Sequence, residues 1–255
     1  MLVENLWYGT TKLGGISWTV EVLDIPFPGK NQDGWCVGET SAAVTDGATP
    51  LADDWPQDVG DFARRAAELL VFIAGVPVEE VSPLLWKRVV NLLAQEYPPA
   101  GHKRTAGAAV VAGRGSDIVF SSVGDVQVLL QSEKGVTRLM GPKLPELDAK
   151  AQASEDPWSM FHVHRALANT DAGYPIVGDD PTIGKRAEHM LVSAHSVERF
   201  WIMSDGLWRN LPDTPQLAAE TLAATNLAIL ADGGSADASP LVLEDDLTAM
   251  AFTRQ

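Results

Sequence analysis

The sequence predicts a layered α+β domain, and three observations support this prediction. Segments that alternate apolar and polar residues, as strands do, lie near both ends of the chain. Two stretches with apolar residues at helical spacing follow the first strands, and a β-rich stretch divided by glycines comes next. This order of strands, helices, strands and helices is typical of an α+β domain.

The N-terminal part of the chain predicts strands followed by two helices. Residues 16–23 alternate apolar and polar side chains, and residues 35–45 predict a pair of strands around Gly38. Apolar residues recur at helical spacing over residues 62–73 and again over residues 81–92. We expect both apolar stripes to pack against the core, which is the usual role of such a stripe.

The rest of the chain begins with a predicted antiparallel meander. Residues 108–140 hold short β-rich segments separated by glycines, which indicates tight turns. Beyond this meander, the predicted helices cover residues 156–168, 181–191 and 215–230, and the predicted strands cover residues 200–203 and 247–253. Because no long linker interrupts the series, we expect one domain over residues 1–255.

Composition and charge exclude several classes of function and partner. The chain has 255 residues, with 34 acidic and 19 basic side chains and a net charge of -15. Such a field repels nucleic-acid backbones and anionic membranes, so neither is expected as a partner. The lone Cys36 excludes an intrachain disulfide and fits a cytoplasmic protein. We expect neither a membrane span nor a signal peptide.

Three local patterns imitate functional motifs but lack the context that those motifs need. Residues 34–38 place Cys36 like the nucleophile of a nucleophile elbow, yet they precede another predicted strand instead of a helix. Residues 178–186 differ from a phosphate-binding loop in spacing and lack its final Ser or Thr. His162 and His164 point to nearly opposite faces of a predicted helix. We expect structural or surface roles for all three.

Four aspartates share one kind of position, at the end of a predicted buried strand. They are Asp46, Asp125, Asp205 and Asp245. An Asp-Gly pair alone is typical of a turn, but four acids at successive strand ends can meet at one edge of a layered fold. Carboxylates that meet repel one another unless cations neutralise them. Magnesium and manganese prefer such oxygen ligands, so the set predicts a divalent-metal site.

Six short segments, spread over nearly the whole chain, carry a family resemblance. In chain order they are residues 31–33 (Asn-Gln-Asp), 43–47 (Ala-Val-Thr-Asp-Gly), 104–106 (Arg-Thr-Ala), 122–125 (Ser-Val-Gly-Asp), 203–208 (Met-Ser-Asp-Gly-Leu-Trp) and 244–248 (Glu-Asp-Asp-Leu-Thr). The ordered series resembles the motifs of the metal-dependent serine/threonine protein phosphatases of type 2C. The segment at 203–208 is the nearest match.

The resemblance implies a four-layer α/β/β/α sandwich of two antiparallel sheets flanked by helices, with a metal centre at one end. Asp46, Asp205 and Asp245 would be the catalytic acids, with Asp46 between two Mn²⁺ or Mg²⁺ ions. Asp125 and Asp205 would supply a third site. The implied metal-ligand positions are Gln32, Asp33, Asp46, Gly47, Asp125, Asp205 and Asp245.

The implied activity is the hydrolysis of phosphoserine or phosphothreonine in proteins by direct attack of a metal-bridging hydroxide. The expected partner is a phosphorylated protein, the target of a serine/threonine kinase. Lys30 and Arg104 are candidates for binding the substrate. Residues 144–195 occupy the place of the family's variable flap, which often tunes substrate choice.

Three departures from the family pattern favour an alternative function. Gln32 replaces a glutamate, Pro28 stands at the position of the phosphate-binding arginine, and Ala48 replaces a histidine. Lys30 lies close to the missing arginine but is a point charge instead of a bidentate fork. The alternative is a catalytically weak pseudophosphatase that binds a phosphoprotein or a regulatory partner. A cysteine hydrolase built on Cys36 is a third hypothesis.

Overall fold

Two antiparallel β-sheets form the centre of the computed structural model, which describes residues 5–27, 32–48, 57–76, 83–98, 103–140, 143–231 and 245–255. The strands are β1 (Leu6–Leu13), β2 (Ile16–Ile25), β3 (Gly34–Val37), β4 (Ser41–Gly47), β5 (Ala106–Arg114), β6 (Asp117–Val123), β7 (Gln127–Ser132), β8 (Gly135–Leu139), β9 (Glu188–Ser193), β10 (Val197–Met203) and β11 (Leu247–Arg254). Among these residues, the six-stranded sheet has the order β1-β2-β11-β10-β7-β8, and the five-stranded sheet has the order β3-β4-β5-β6-β9.

Helices cover the outer faces of both sheets. The described helices are α1 (Val59–Gly75), α2 (Pro83–Glu96), α3 (Lys143–Gln152), α4 (Pro157–Ala166), α5 (Asp205–Trp208) and α6 (Pro215–Ala231), of which α1, α2 and α6 form these outer layers. Helix α1 packs on β3, β4 and β5, and α2 joins it there, with the Trp86 indole N–H donating to Ser121 Oγ of β6 at 2.8 Å. Helix α6 packs on the six-stranded sheet.

Aromatic side chains fill the space between the two sheets. Phe200 of β10 stacks on Phe252 of β11 with ring centroids 4.2 Å apart, and Trp18 and Phe120 meet Phe200 edge-on. All four side chains are fully buried, so they hold the two sheets face to face. With helices outside, the predicted four-layer α/β/β/α sandwich is confirmed.

The prediction of a single meander over residues 108–140 is wrong. Strands β5 and β6 belong to the five-stranded sheet, whereas β7 and β8 belong to the six-stranded sheet. The chain crosses between the sheets at Gly124, Asp125 and Val126. Strands β5, β6 and β7 are largely buried, so all three are rich in apolar residues whichever sheet they belong to. Their local pattern therefore does not reveal which sheet each one joins.

The prediction of a helix over residues 181–191 is also wrong. A short 3₁₀ turn at Ile183–Lys185 is followed by β9, which pairs with β6 at the edge of its sheet. Met190 and Val192 pack toward the inter-sheet core while Leu191 is 64% exposed, which is the alternation of a strand. Strand β1 and helix α3 were not predicted. No helix in the described parts of the chain combines the length and apolar character needed to cross a bilayer.

Candidate metal centre

Three aspartates from both sheets meet at one end of the sandwich. Asp46 is the second-last residue of β4, and Asp205 lies two residues beyond the end of β10 in the other sheet, as the first residue of α5. Asp125 lies in the connection that crosses between the sheets from β6 to β7. One carboxylate oxygen from each of the three lies within 4.8 Å of the others. That spacing suits oxygen ligands that share a cation.

Helix α5 is tied to the other two aspartates through its backbone and its tryptophan. The Asp205 N–H donates to Asp46 Oδ2 at 3.3 Å. The Trp208 indole N–H donates to the Asp125 carbonyl oxygen at 2.9 Å. These contacts join residues far apart in the sequence, so the cluster is held by the fold instead of by one flexible loop.

Two glycines let Asp125 approach strand β5. Gly124 has a φ of +73°, and a Cβ there would lie 2.7 Å from the Cα of Gly107. A Cβ on Gly107 would lie 2.7 Å from Asp125 Oδ1. Gly107 is also the register partner of Asp46 across β4 and β5. The absence of side chains at both positions therefore places the Asp125 carboxylate beside Asp46.

The Gly124→Ala variant should lower the free energy of unfolding more than the matched Gly115→Ala variant. Gly115 also has a positive φ, +57°, but a Cβ there meets nothing within 4 Å. Both variants carry the left-handed backbone cost of ~1–2 kcal/mol, and only Gly124→Ala adds a backbone clash, worth ~1–3 kcal/mol. Urea denaturation measures both losses, and equal losses would show that the close approach to Gly107 is unimportant.

The pKa of Asp205 is raised to about 7. Burial is the largest cause, and the negative charges of Asp125 and Asp245 raise it further. Arg209 and the hydrogen bond with Asp46 act in the opposite direction. A cation beside these carboxylates would favour their ionised forms, since opposite charge lowers the pKa of an acid.

Asp46 and Asp33 also carry raised pKa values. Desolvation and then the charges of neighbouring aspartates, with Asp205 foremost, hold the pKa of Asp46 well above its usual range. Burial is likewise the main cause for Asp33, which is only 3% exposed. Asp33 Oδ2 accepts no hydrogen bond from any described residue. A buried, unpaired carboxylate oxygen beside repelling acids fits a divalent cation.

Comparison of the whole chain with known proteins places this arrangement in context. No protein-family model matches the chain, and no curated protein matches it. Solved structures do: Stp1, a serine/threonine phosphatase of Staphylococcus aureus, superposes with a TM-score of 0.58 at 12% identity, covering 92% of this chain and 94% of that one. The Mycobacterium tuberculosis phosphatase PstP/Ppp gives 0.55 at 13% identity, covering 97% and 98%.

The chain has the fold of the bacterial serine/threonine phosphatases. A further neighbour is the catalytic domain of PstP in complex with two manganese ions, with a TM-score of 0.52, 13% identity and 98% coverage of both chains. The fold that the sequence resemblance implied is thereby confirmed. At this identity the likeness concerns the fold, so the chemistry of this chain must be argued from its own residues.

The C-terminal acids lie next to the cluster. Asp245 lies two residues before β11. Its charge adds to the effect of burial in raising the pKa values of Asp46 and Asp205. Its Oδ1 accepts the Asp246 N–H at 2.9 Å. It lies outside the trio of oxygens within 4.8 Å of one another. Its assignment as a metal ligand stays a prediction.

Asp246 belongs to the segment at residues 244–248, but the sequence analysis assigned it no role in the site. It is 2% exposed, and its two carboxylate oxygens accept the N–H groups of Phe27 and Gln32, each at 2.6 Å. The Gln32 carbonyl oxygen in turn accepts the Gly47 N–H at 3.1 Å. A Cβ on Gly47 would collide with that carbonyl, so a glycine is required beside Asp46. These contacts hold the start of β11, the entry to β3 and the end of β4 together.

Of the two predicted substrate-binding cations, the structure describes Arg104 but not Lys30. Arg104 forms two hydrogen bonds to Asp58, from Nε at 2.7 Å and Nη2 at 3.0 Å, and its guanidinium lies 5.6 Å from the centre of the Tyr97 ring. The structure thus gives it a partner within the protein, and its role with substrate stays a prediction. Lys30 lies outside the described residues, as does Pro28.

Arg209 is the cation that sequence reasoning missed. Its Nη2 lies 2.8 Å from Asp205 Oδ2. The signal was present in the sequence, because Arg209 follows Asp205 by four residues, a spacing that brings side chains together once the segment is helical.

Proposed function

We propose that this chain is a metal-dependent phosphatase that hydrolyses phosphoserine and phosphothreonine in proteins. The observation that carries the proposal is the meeting of the Asp46, Asp125 and Asp205 carboxylates at one end of the sandwich. The same fold occurs in bacterial serine/threonine phosphatases, one of them solved with two manganese ions. An acid cluster of this kind suits the chemistry of phosphate esters once divalent cations balance its charge.

Two Mn²⁺ or Mg²⁺ ions are the proposed cofactors, and Asp125 with Asp205 would supply ligands for a third. As the family resemblance implies, Asp46 would be a ligand shared by the two main ions, and Asp205 and Asp245 would help to hold one of them. Gly47, with its neighbour Gln32, and the buried Asp33 complete the proposed ligand set. When bound, such ions lower the pKa of water and offset negative charge on phosphoryl oxygens.

The protein's own contribution is to fix the acids in place. Asp46 is set by its β4–β5 register, and Asp205 is set by the end of β10 and the hydrogen bond from its N–H. Asn210 caps this region, since its side-chain amide donates to the Gly206 carbonyl oxygen at 2.8 Å. Positions fixed by strands and short contacts limit the reorganisation needed when a substrate binds.

A cysteine-based mechanism finds no support in the setting of Cys36. Burial raises the pKa of its thiol, and the charge of Glu68 raises it further. The side chain is partly buried against the core beneath α1 and α2. A thiol with a raised pKa is a poor nucleophile at neutral pH.

The substrate, location and organisation follow as further parts of the proposal. The substrate would be a cytoplasmic phosphoprotein, the product of a serine/threonine kinase. Residues 144–195 would supply the flap that contacts it, with α4 and most of α3, while β9 within this range belongs to the five-stranded sheet. Lys30 and Arg104 remain the proposed substrate contacts from the sequence, within a single domain over residues 1–255.

Turnover of two phosphate esters tests the proposal. The purified chain should hydrolyse p-nitrophenyl phosphate and a phosphothreonine peptide when Mn²⁺ is added, and a chelator should stop both reactions. The competing binding-module hypothesis makes the opposite prediction: calorimetric titration with Mn²⁺ would show one site or none, together with no turnover. That combined result would replace the phosphatase by a pseudophosphatase.

A further inference from the structure

Arg209 places a positive charge at the rim of the acid cluster. Its side chain is 41% exposed, whereas that of its ion-pair partner Asp205 is 10% exposed. The Arg209 N–H also donates to the Asp205 carbonyl oxygen at 3.1 Å, which fixes the backbone of the two residues relative to each other. The guanidinium therefore reaches from a buried carboxylate of the cluster to the solvent.

The guanidinium of Arg209 lies against Trp208, whose side chain is hydrogen-bonded to the acid cluster. The guanidinium carbon of Arg209 lies 5.6 Å from the centre of the Trp208 ring, within the range of a cation–π contact. The Trp208 indole N–H donates to the carbonyl oxygen of Asp125. Arg209 is thus held beside both Asp205 and the connection that carries Asp125.

We propose that Arg209 binds the phosphate group of the substrate at the mouth of the acid cluster, an inference that rests on the proposed phosphatase function. An anionic phosphate ester must approach several acids in a chain of net charge -15, and a cation at the rim reduces that repulsion. The planar guanidinium fork matches the spacing of phosphate oxygens.

The existing ion pair does not prevent this exchange of partners. Only the Arg209 end of this pair is exposed, at 41%, while the Asp205 side chain is 10% exposed and needs another cation once Arg209 leaves it. The divalent ions of the proposed function would balance Asp205, so a phosphate oxygen can replace its carboxylate as the partner of the guanidinium while the Trp208 ring stays in contact with Arg209.

Equilibrium binding of inorganic phosphate to the Mn²⁺-loaded protein tests this role without requiring turnover. In calorimetry, Arg209→Ala should weaken phosphate binding ~10- to 100-fold, the effect of losing charge-assisted hydrogen bonds. Arg209→Lys should lie between Arg209→Ala and the wild type, since lysine keeps the charge but loses the fork. The matched control is Arg199→Ala on β10, which removes the same charge and a guanidinium 5.9 Å from the Trp201 ring. Its phosphate affinity should equal that of the wild type.

Two results would overturn the inference. The first is wild-type affinity for phosphate in Arg209→Ala, accompanied by a change in Mn²⁺ affinity alone, which would limit Arg209 to balancing the charge of Asp205. The second is a Mn²⁺-loaded wild type that binds no phosphate. A protein that binds phosphate through Arg209 yet hydrolyses neither ester would keep this inference and remove the proposed function, so the two failures are distinguishable.

Discussion

Asp46→Asn is expected to lower the Mn²⁺-dependent hydrolysis of a phosphothreonine peptide by about 10³-fold or more. Asp46 belongs to β4 of one sheet, is the register partner of Gly107 in β5, and accepts the Asp205 N–H from the segment that follows β10 of the other sheet. Asparagine keeps the shape of the side chain but supplies no negative charge to a shared cation. The measurement is kcat with saturating Mn²⁺, compared with the wild type.

The matched control for this variant is Asp117→Asn. Asp117 begins β6, at the opposite end of that strand from Asp125, and so shares the strand-end position without sharing the cluster. Its activity should equal that of the wild type. Circular dichroism should show that Asp46→Asn stays folded, because removing one of several repelling carboxylates does not weaken the ion-free fold. Full activity in both Asp46→Asn and Asp205→Asn would exclude a role for the cluster in the reaction.

Mn²⁺ is expected to raise the thermal midpoint of the wild type by about 5–10 °C. At a Mn²⁺ concentration 100 times the dissociation constant, one site adds about 2.7 kcal/mol to the stability of the folded state. Each kcal/mol shifts the midpoint of a chain of this size by about 2–4 °C. The physical reason is that the ion offsets the burial and the mutual repulsion that together raise the pKa values of Asp46 and Asp205. Differential scanning fluorimetry with and without Mn²⁺ measures the shift.

The same measurement on variants shows where the ion binds. Asp205→Asn should lose most of the Mn²⁺-induced shift, while Asp117→Asn should keep all of it. A chelator should reverse the shift in the wild type. An equal Mn²⁺-induced shift in the wild type and in Asp205→Asn would place the binding site somewhere other than the acid cluster.

The long helices and strands could be predicted because burial of one helix face, or of a whole strand, leaves a recognisable pattern of apolar residues in the sequence. Helix α1 buries Phe62, Ala66, Leu69 and Ile73 at helical spacing, and its observed bounds enclose the predicted stripe. A helix was predicted in place of β9 because the strand has only six residues and follows the 3₁₀ turn at Ile183–Lys185, so the alternation of Met190 and Val192 is too short to decide the local pattern. The sheet assignment of β7 depends on the crossing at Gly124, which is set by its close approach to Gly107. Local patterns do not encode such contacts between distant segments.

The candidate site, too, was only partly predictable from the sequence. The strand-end positions of Asp46, Asp125 and Asp205 were visible in the sequence, and the structure brings these three together. The role of Asp246 was hidden, because its partners Phe27 and Gln32 lie more than two hundred residues away in the chain. The ion pair of Arg209 depends on α5 being helical, and a helix of four residues is too short to show a periodic pattern in the sequence.

The most direct test of the central claim, that this acid cluster performs metal-dependent phosphate ester hydrolysis, is a titration of the hydrolysis rate with Mn²⁺. The wild type should show no rate in chelator, and its rate on a phosphothreonine peptide should saturate at the same Mn²⁺ concentrations that complete the thermal shift. Asp46→Asn should show no such rise. A rate that is independent of Mn²⁺, or that rises equally in Asp46→Asn, would contradict the account.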